Sequence, residues 1–277
     1  CFLLNLVTNK KKERQKTVHK LNKNNMKTIK TLFIALLLIA FAPLSAQTAD
    51  EIIDNYFENT GGAENWKNLQ SVKYLGSVNA QGMDIPIEMY QTKDGKQLLK
   101  INLQGQEMTQ FAFDGETMWV TNFMTMLPEK SDQETTDNMK KQTKDFPSPF
   151  LNYKENGFTV ELLENETKEG TETFKLKLTQ DPLIVDGVEE PNVSFHFFDT
   201  ENFVPILIET AINQGPMKGQ TSVSTFSDYE EVGGLYFPFS ITQSGQLISF
   251  TEIILNPEID ESMFAFPEVA TETEEGK

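Results

Sequence analysis

The sequence predicts an α+β domain that is mainly β and antiparallel. Three observations predict it. Apolar residues recur with a period of two through most of the chain, the pattern of half-buried strands. The breaks between these runs are short and turn-forming, Asp94-Gly95 and Asp114-Gly115 among them, and Asp-Gly is a strong hairpin signal. No helical pattern separates the strands of the first half, whereas a parallel sheet would need a crossover each time.

Taken in order, residues 1–25 are polar, lysine-rich and without apolar periodicity, and they are expected to be upstream sequence translated in error, with Met26 as the start. Residues 26–46 then carry a basic segment (Met26, Lys27, Lys30), an apolar run from Leu32 to Ala42, and Leu44-Ser45-Ala46 before Gln47. This is the layout of a cleaved secretory signal peptide, and the run is short for a membrane span. The expected domain is 47–268, followed by an acidic disordered tail over 269–277. The expected location is periplasmic.

Residues 1–46 hold nine of the 24 basic residues and one of the 41 acidic ones, leaving 15 against 40 and a net charge of −25. They also hold the sole arginine (Arg14), the sole cysteine (Cys1) and one of the two histidines. Nucleic-acid binding is therefore excluded, because phosphate recognition needs basic patches. Disulfides, a cysteine nucleophile and a multi-histidine metal site are excluded by inventory. No cofactor and no catalytic residue is expected. His196 has no second histidine and no serine elbow near it in sequence, so it reads as structural and the protein as a non-enzyme.

Thr48-Ala49-Asp50-Glu51 is a capping box, and Ile52, Ile53, Tyr56 and Phe57 follow at helical spacing. Gly61-Gly62 ends that helix, and a short turn over Ala63–Leu69 carries Trp66. Ser71 to Met124 reads as a strand meander. Phe123 to Leu151 reads as an insertion over the sheet, a helix or two and the aromatic loop Phe146–Phe150, since a long excursion in a compact domain often serves as a lid. Strands resume at Phe158–Glu166 and Glu172–Thr179, with a hairpin extension over Asp181–Pro191. Val193–Phe239 then supplies the most Phe- and Ile-rich strands, with Leu235, Phe237, Phe239 and Ile241 on one face beyond the Gly233-Gly234 turn. Gln246–Leu255 is the last strand, and Asp260–Phe266 a turn that returns Met263, Phe264 and Phe266 to the core. The large apolar face is either the core beneath the helices or the wall of a cavity that two small helical pieces leave under-filled. Such a cavity would suit acyl chains.

DEIIDNYFENTGGAENWKNLQSVKYLG, FDGETMWV, FFDTENFVPILIE, FSDYEEVGGLYFPFSI and ILNPEIDESMFAFP, in this order, resemble the LolA/LolB-like outer-membrane lipoprotein-sorting family over about Ala49 to Pro267. The resemblance implies a curved antiparallel half-barrel of about eleven strands with helices covering the concave face. It implies binding of acyl chains of lipoproteins or lipids in transit between membranes, with membrane-bound donor and acceptor proteins as further partners. Known carriers of the family hold their closed state with a sheet arginine, which this chain lacks beyond Arg14. A non-carrier envelope sensor or assembly module on the same scaffold is the alternative, and a monomer is expected. The expected lining is Tyr74, Ile87, Met89, Ile101, Phe111, Phe113, Met118, Phe195, Phe197, Ile206, Ile208, Phe237 and Phe239. The expected lid is Ile52, Ile53, Tyr56, Phe57 and Trp66, with Phe123, Met124, Met126, Phe146 and Phe150.

Overall fold

Thr48 caps the first helix, α1 (Ala49–Asn59): its hydroxyl accepts from the Glu51 N–H and the Glu51 carboxylate accepts from the Thr48 N–H. Two of the orphan amides at the helix start are thereby satisfied, and Asp50 and Glu51 complement the positive end of the helix. Ile52, Ile53, Tyr56 and Phe57 form its buried stripe. Burying four such side chains is worth on the order of 6–12 kcal/mol before the entropy of ordering them. A second helix, α2 (Ala63–Asn68), buries Trp66. The Trp66 indole donates to the carbonyl and the hydroxyl of Thr60, each at 3.1 Å, so the ring is buried without an unsatisfied N–H.

The computed structural model describes residues 47–213 and 217–267. The expected leader over 26–46, the segment ahead of it and the tail over 269–277 lie outside the described residues. From Thr48 onwards the described chain forms one compact unit.

The strands are β1 (Ser71–Ala80), β2 (Met83–Thr92), β3 (Gln97–Leu103), β4 (Gln106–Phe113), β5 (Met118–Asn122), β6 (Leu127–Lys130), β7 (Thr159–Leu162), β8 (Glu166–Lys168), β9 (Thr171–Val185), β10 (Val188–Asp199), β11 (Pro205–Ala211), β12 (Thr221–Val232), β13 (Leu235–Gln243) and β14 (Gln246–Leu255). They form one open antiparallel sheet in the order β6-β5-β4-β3-β2-β1-β14-β13-β12-β11-β10-β9-β7, with β8 paired to β9 off that path. Fourteen strands replace the expected eleven or so. Part of the excess is β6 and β8, four and three residues long, too short for a period of two to be read. The β1–β14 pairing joins the two halves of the chain.

The sheet is strongly curved. Laid flat, β3 and β9 would stand roughly 38 Å apart at the usual interstrand spacing. Yet Leu99 and Ile101 of β3 and Leu176 and Leu178 of β9 belong to one packed cluster, together with the α1 stripe and Trp66. That cluster is the concave-side core. A second, smaller core lies on the other face, where Tyr90, Leu98, Ala112 and Trp119 are covered by the 3-10 turn Glu261–Phe264. Phe264 is fully buried there and its carbonyl accepts from the Trp119 indole at 2.9 Å. The expected return of Met263, Phe264 and Phe266 to the core thus takes place, on the convex side.

The insertion read over Phe123–Leu151 divides into three parts. Phe123–Met126 is the turn of the β5–β6 hairpin, held by the Asn122 side chain, which accepts from Met124 N–H at 2.9 Å, and by the Asn122 carbonyl, which accepts from Met126 N–H at 2.7 Å. Helix α3 (Gln133–Gln142) and a 3-10 turn (Thr143–Asp145) follow, and then the loop through Phe146 and Phe150. Phe123, Met124 and Met126 are 53%, 95% and 45% exposed. They are therefore corrected from lid residues to a hairpin tip.

The helix pair is seated by a backbone contact. Gly61 has φ of 111°, and a Cβ there would lie 2.0 Å from the carbonyl oxygen of Gly234 in the β12–β13 turn. Beside it, the Tyr236 N–H donates to the Thr60 carbonyl at 3.1 Å. Gly61→Ala is expected to cost about 3 kcal/mol, because both the clash and the left-handed backbone oppose a side chain. Gly62→Ala, where a Cβ meets nothing within 4 Å, should cost only about 1 kcal/mol. Urea midpoints at equal m-values measure the difference, and equal costs would refute the seating role.

Candidate functional site

The candidate site is the concave face itself, and period-two alternation decides which side chains reach it. Tyr74, Ile87, Met89, Ile101, Phe237 and Phe239 all join the concave cluster, Ile87 and Phe237 buried and the others half-buried. Phe111 stands opposite Leu99, and Phe113 opposite Gln97 and Met118. Phe111, Phe113 and Met118 therefore share that face at its β4–β5 flank, with Phe113 fully buried. Ile208 stands opposite His196, and Ile206 shares its face two residues earlier; both are half-buried.

Phe195 and Phe197 do not reach the concave face, which is a correction. In β10 the concave positions are Ser194, His196 and Phe198: they pair with Leu178, Leu176 and Phe174, and His196 and Phe198 each meet the Phe150 ring edge to face. Phe195 and Phe197 lie on the opposite side beneath lysines. Lys175 lies 5.0 Å from the Phe195 ring centre and Lys168 lies 4.3 Å from that of Phe197. The lysine stems bury Phe197 completely while Glu166 and Glu209 hold their ammonium groups. Ser194 and His196 can be inside because they satisfy each other, Oγ to Nε2, at 2.8 Å. Burial pushes the His196 imidazole down to about 3. Such a site disfavours the imidazolium form.

Three phenols point into the same interior. Burial pushes Tyr56 up to about 12, with the Ser148 hydroxyl beside it, and raises Tyr74 and Tyr229 as well. Tyr229 donates to the Pro205 carbonyl at 2.6 Å.

Of the expected lid residues, Ile52, Ile53, Tyr56, Phe57, Trp66 and Phe150 are buried in the concave cluster and Phe146 packs on it. Trp66 lies 5.0 Å from the Phe237 ring and Tyr56 meets Phe198 edge to face at 5.7 Å. The lid is tied at two places. Asp50 of α1 accepts from Tyr153 and from Lys154, and the Lys154 ammonium holds its carboxyl below the usual carboxylate range. Helix α3 is latched to the β9–β10 hairpin by side chains acting as strand partners. The Asn138 amide donates to the Ile184 carbonyl at 2.6 Å and accepts from its N–H at 2.9 Å, and Glu134 accepts from the Asp186 and Gly187 N–H groups at 3.0 and 2.8 Å. Met118, Met139, Leu183, Val185 and Ile212, with the polar Thr135, Asn138, Gln142 and Asn213, line a cavity of about 350 Å³ beneath α3. The helix therefore bridges the β5 flank and the β9–β10 flank.

The concave lining is not apolar throughout. Along four strands an inward run ends in an amide: Ile87, Met89, Gln91 in β2; Ile101, Leu99, Gln97 in β3; Leu176, Leu178, Gln180 in β9; and Phe198, His196, Ser194, Asn192 in β10. Gln91 pairs with Gln97 and Asn192 with Gln180 across their ladders. These four amides, with Gln142, Asp145, Phe146 and Pro147 from the α3 end of the lid, line a cavity of about 300 Å³. Sequence reading passed over them, although each marks where an apolar alternation turns polar on the inward side. Among the described residues no group of three or more His, Cys, Asp or Glu side chains could hold a metal ion, and no helix is long and apolar enough to cross a membrane.

No family model matches the chain, and no curated protein does. Solved structures do. A LolA superfamily protein from Nitrosomonas europaea aligns at 17% identity over 79% of this chain and 98% of its own, with a TM-score of 0.49. A DUF1329 family protein from Desulfovibrio piger aligns at 12% identity over 79% and 98%, with a TM-score of 0.45. A domain described as an outer membrane lipoprotein-sorting protein from Vibrio parahaemolyticus aligns at 13% identity over 77% and 94%, with a TM-score of 0.43.

Asp145 gives this site a pH signature. Burial pushes its carboxyl up to about 6 against the lowering effect of the Gln180 hydrogen bond, from an ordinary value of 3.8. Above pH 6 the folded protein carries a desolvated carboxylate that the unfolded chain solvates freely; below 3.8 both states are protonated and the cost is gone. Asp145→Asn is therefore expected to stabilise the fold by about 1 kcal/mol at pH 8, discounted for partial solvent access, and to have little effect at pH 3.5. His196 acts in the opposite sense: its neutral burial contributes fully above pH 6.5, and that contribution is lost as pH falls towards 3. Denaturant titrations of the variant and the parent at the two pH values check this. A destabilised variant at pH 8 would overturn it.

Proposed function

We propose that this protein binds acyl chains of lipoproteins or lipids on its concave face and carries them through the periplasm towards the outer membrane. The observation that carries the reading is the half-buried apolar lining. Tyr74, Val78, Met89, Ile101, Phe239, Ile241 and Ile248 pack on the core under α1 and α2 yet each keeps some of its surface accessible. This leaves apolar surface that a ligand can cover, and each buried CH₂ is worth about 0.8 kcal/mol. An acyl chain laid along them gains the same term. No covalent step is involved. Membrane-bound donor and acceptor proteins would load and unload the cargo.

A second reading, a sensor or assembly module that binds a protein, is favoured by one observation. The β1–β2 and β5–β6 tips expose Met83, Phe123, Met124, Met126 and Leu127. Met83 and Met126 line a groove of about 780 Å³ with Ile85, Pro86, Leu103 and Met108. Flexible methionines at an exposed rim suit a protein surface as well as a passing chain.

Titration with a fluorescent monoacylglycerol, whose head carries no charge, separates the two. Saturable binding is expected, weakened at least tenfold by Phe239→Ser or Ile241→Ser and changed less than about twofold by Phe195→Ser, because Phe195 lies on the outer face. Native mass spectrometry of the gently purified protein is expected to show co-purified lipid. Absence of both signals sinks the carrier reading.

A further inference from the structure

We propose that the amide-lined cavity beside Asp145 is a headgroup site that selects amphiphiles bearing an ammonium group over neutral and anionic ones. This inference rests on the acyl-binding reading and names the class of cargo. Gln91, Gln97, Gln142, Gln180 and Asn192 offer five amides, and Asp145 is the one charged side chain in the lining. No lysine joins it. The lysines of the neighbouring lid are directed elsewhere: Lys144 pairs with Asp181, Lys141 donates to the Pro182 carbonyl and Lys140 pairs with Glu116. A phosphate, sulfate or carboxylate would thus meet a carboxylate and no cation.

The hydrogen bond to Asp145 comes from Gln180, a neutral amide. One neutral donor leaves a partly buried carboxylate under-compensated, and the raised carboxyl value records the same imbalance. An ammonium donor supplies both the opposite charge and up to three N–H groups, which the five amide carbonyls and the carboxylate can accept. Neutral hydroxyl headgroups can bond to the amides but leave the charge uncompensated.

The residues one step inward from the amides, Met89 in β2, Leu99 in β3 and Leu178 in β9, are apolar and belong to the concave cluster. Met89 and Leu99 are half-buried while Leu178 is buried, so a chain attached to a head in the cavity would run along β2 and β3. At about 300 Å³ the space holds an ethanolamine-sized or aminoalcohol-sized head with several waters, given about 30 Å³ per water.

Isothermal titration calorimetry at pH 8 tests this with three C12 probes below their micellar concentrations: dodecylammonium, 1-monolauroylglycerol and laurate. Dodecylammonium should bind at least tenfold more tightly than monolauroylglycerol, with laurate weakest. The acidity of the whole protein also favours cations, so the decisive measurement is the ratio in Asp145→Asn, which removes one of many charges. There the ammonium and glycerol probes should converge to within about threefold. Gln180→Leu, which removes the neutral donor to Asp145 and leaves the carboxylate, should keep the ammonium preference at tenfold or more. If monolauroylglycerol binds but the ammonium preference is absent, or survives Asp145→Asn unchanged, the headgroup assignment is overturned while acyl binding stands. If none of the three binds, both readings fall.

Discussion

The close approach of Gly61 to Gly234 is the constraint on which the rest of this molecule depends. An amphipathic helix of eleven residues is marginal alone and is held by what its apolar stripe can reach. Here the stripe reaches the floor of a curved sheet only because two backbones touch where any side chain would intervene. That contact sets Trp66 against Phe237 and Tyr56 against Phe198, and so ties β13 to β10 through the helix pair. A sheet open at both edges has no closure of its own to maintain its curvature. The aromatic wedge on the inside and the small Trp119–Phe264 core on the outside act on its two faces.

The concave face is divided chemically along its strands. Close to the helices it is filled by aromatic rings. Beyond them it is aliphatic and partly open. Where β2 and β3 approach β9 and β10 beneath the lid it turns to amides and a single carboxylate. An interior that is apolar throughout binds any chain of suitable length, since burial of CH₂ groups is non-directional. Polar groups at one end impose an orientation, because a buried amide left unpaired costs more than a paired one returns. The concave face is thus apolar along most of its strands and polar at one end.

The lid follows the same economy in a chain whose only arginine is Arg14. No guanidinium crosses from sheet to lid in the described structure. The latch consists of Asn138 and Glu134 on the backbone of the β9–β10 hairpin and of lysines on carboxylates and a carbonyl. Hydrogen bonds of this kind, partly open to water, are individually worth about 1 kcal/mol. They hold the cover less firmly than apolar packing holds the core beneath it.

Much of the architecture was legible in the sequence. The capping box at Thr48, the stripe from Ile52 to Phe57, the Asp-Gly hairpins and the alternation of β13 are local, and local geometry follows from spacing. The placement of Tyr74, Ile87, Met89, Ile101, Phe237 and Phe239 on the concave face was legible for the same reason, as alternating apolar faces opposite polar ones. In β10 the run Ser194-Phe195-His196-Phe197-Phe198 offers two plausible inner faces, and hydrophobicity favours the wrong one. Only tertiary structure supplies what reverses the choice: a serine that satisfies His196 from within, and lysines from β8 and β9 that cover Phe195 and Phe197 from without. The amide cavity was hidden for a related reason. Gln91, Gln97, Gln180 and Asn192 sit up to about a hundred positions apart in the chain and meet only because the sheet curves, and a curvature set by packing across the whole sheet leaves no mark in any one strand. The sequence by itself determined a mainly β antiparallel chain with a capped helix at its head and an apolar inner face. The tertiary structure decided which side of β10 is inner and where that face turns polar, because both depend on contacts between residues that the chain order keeps apart.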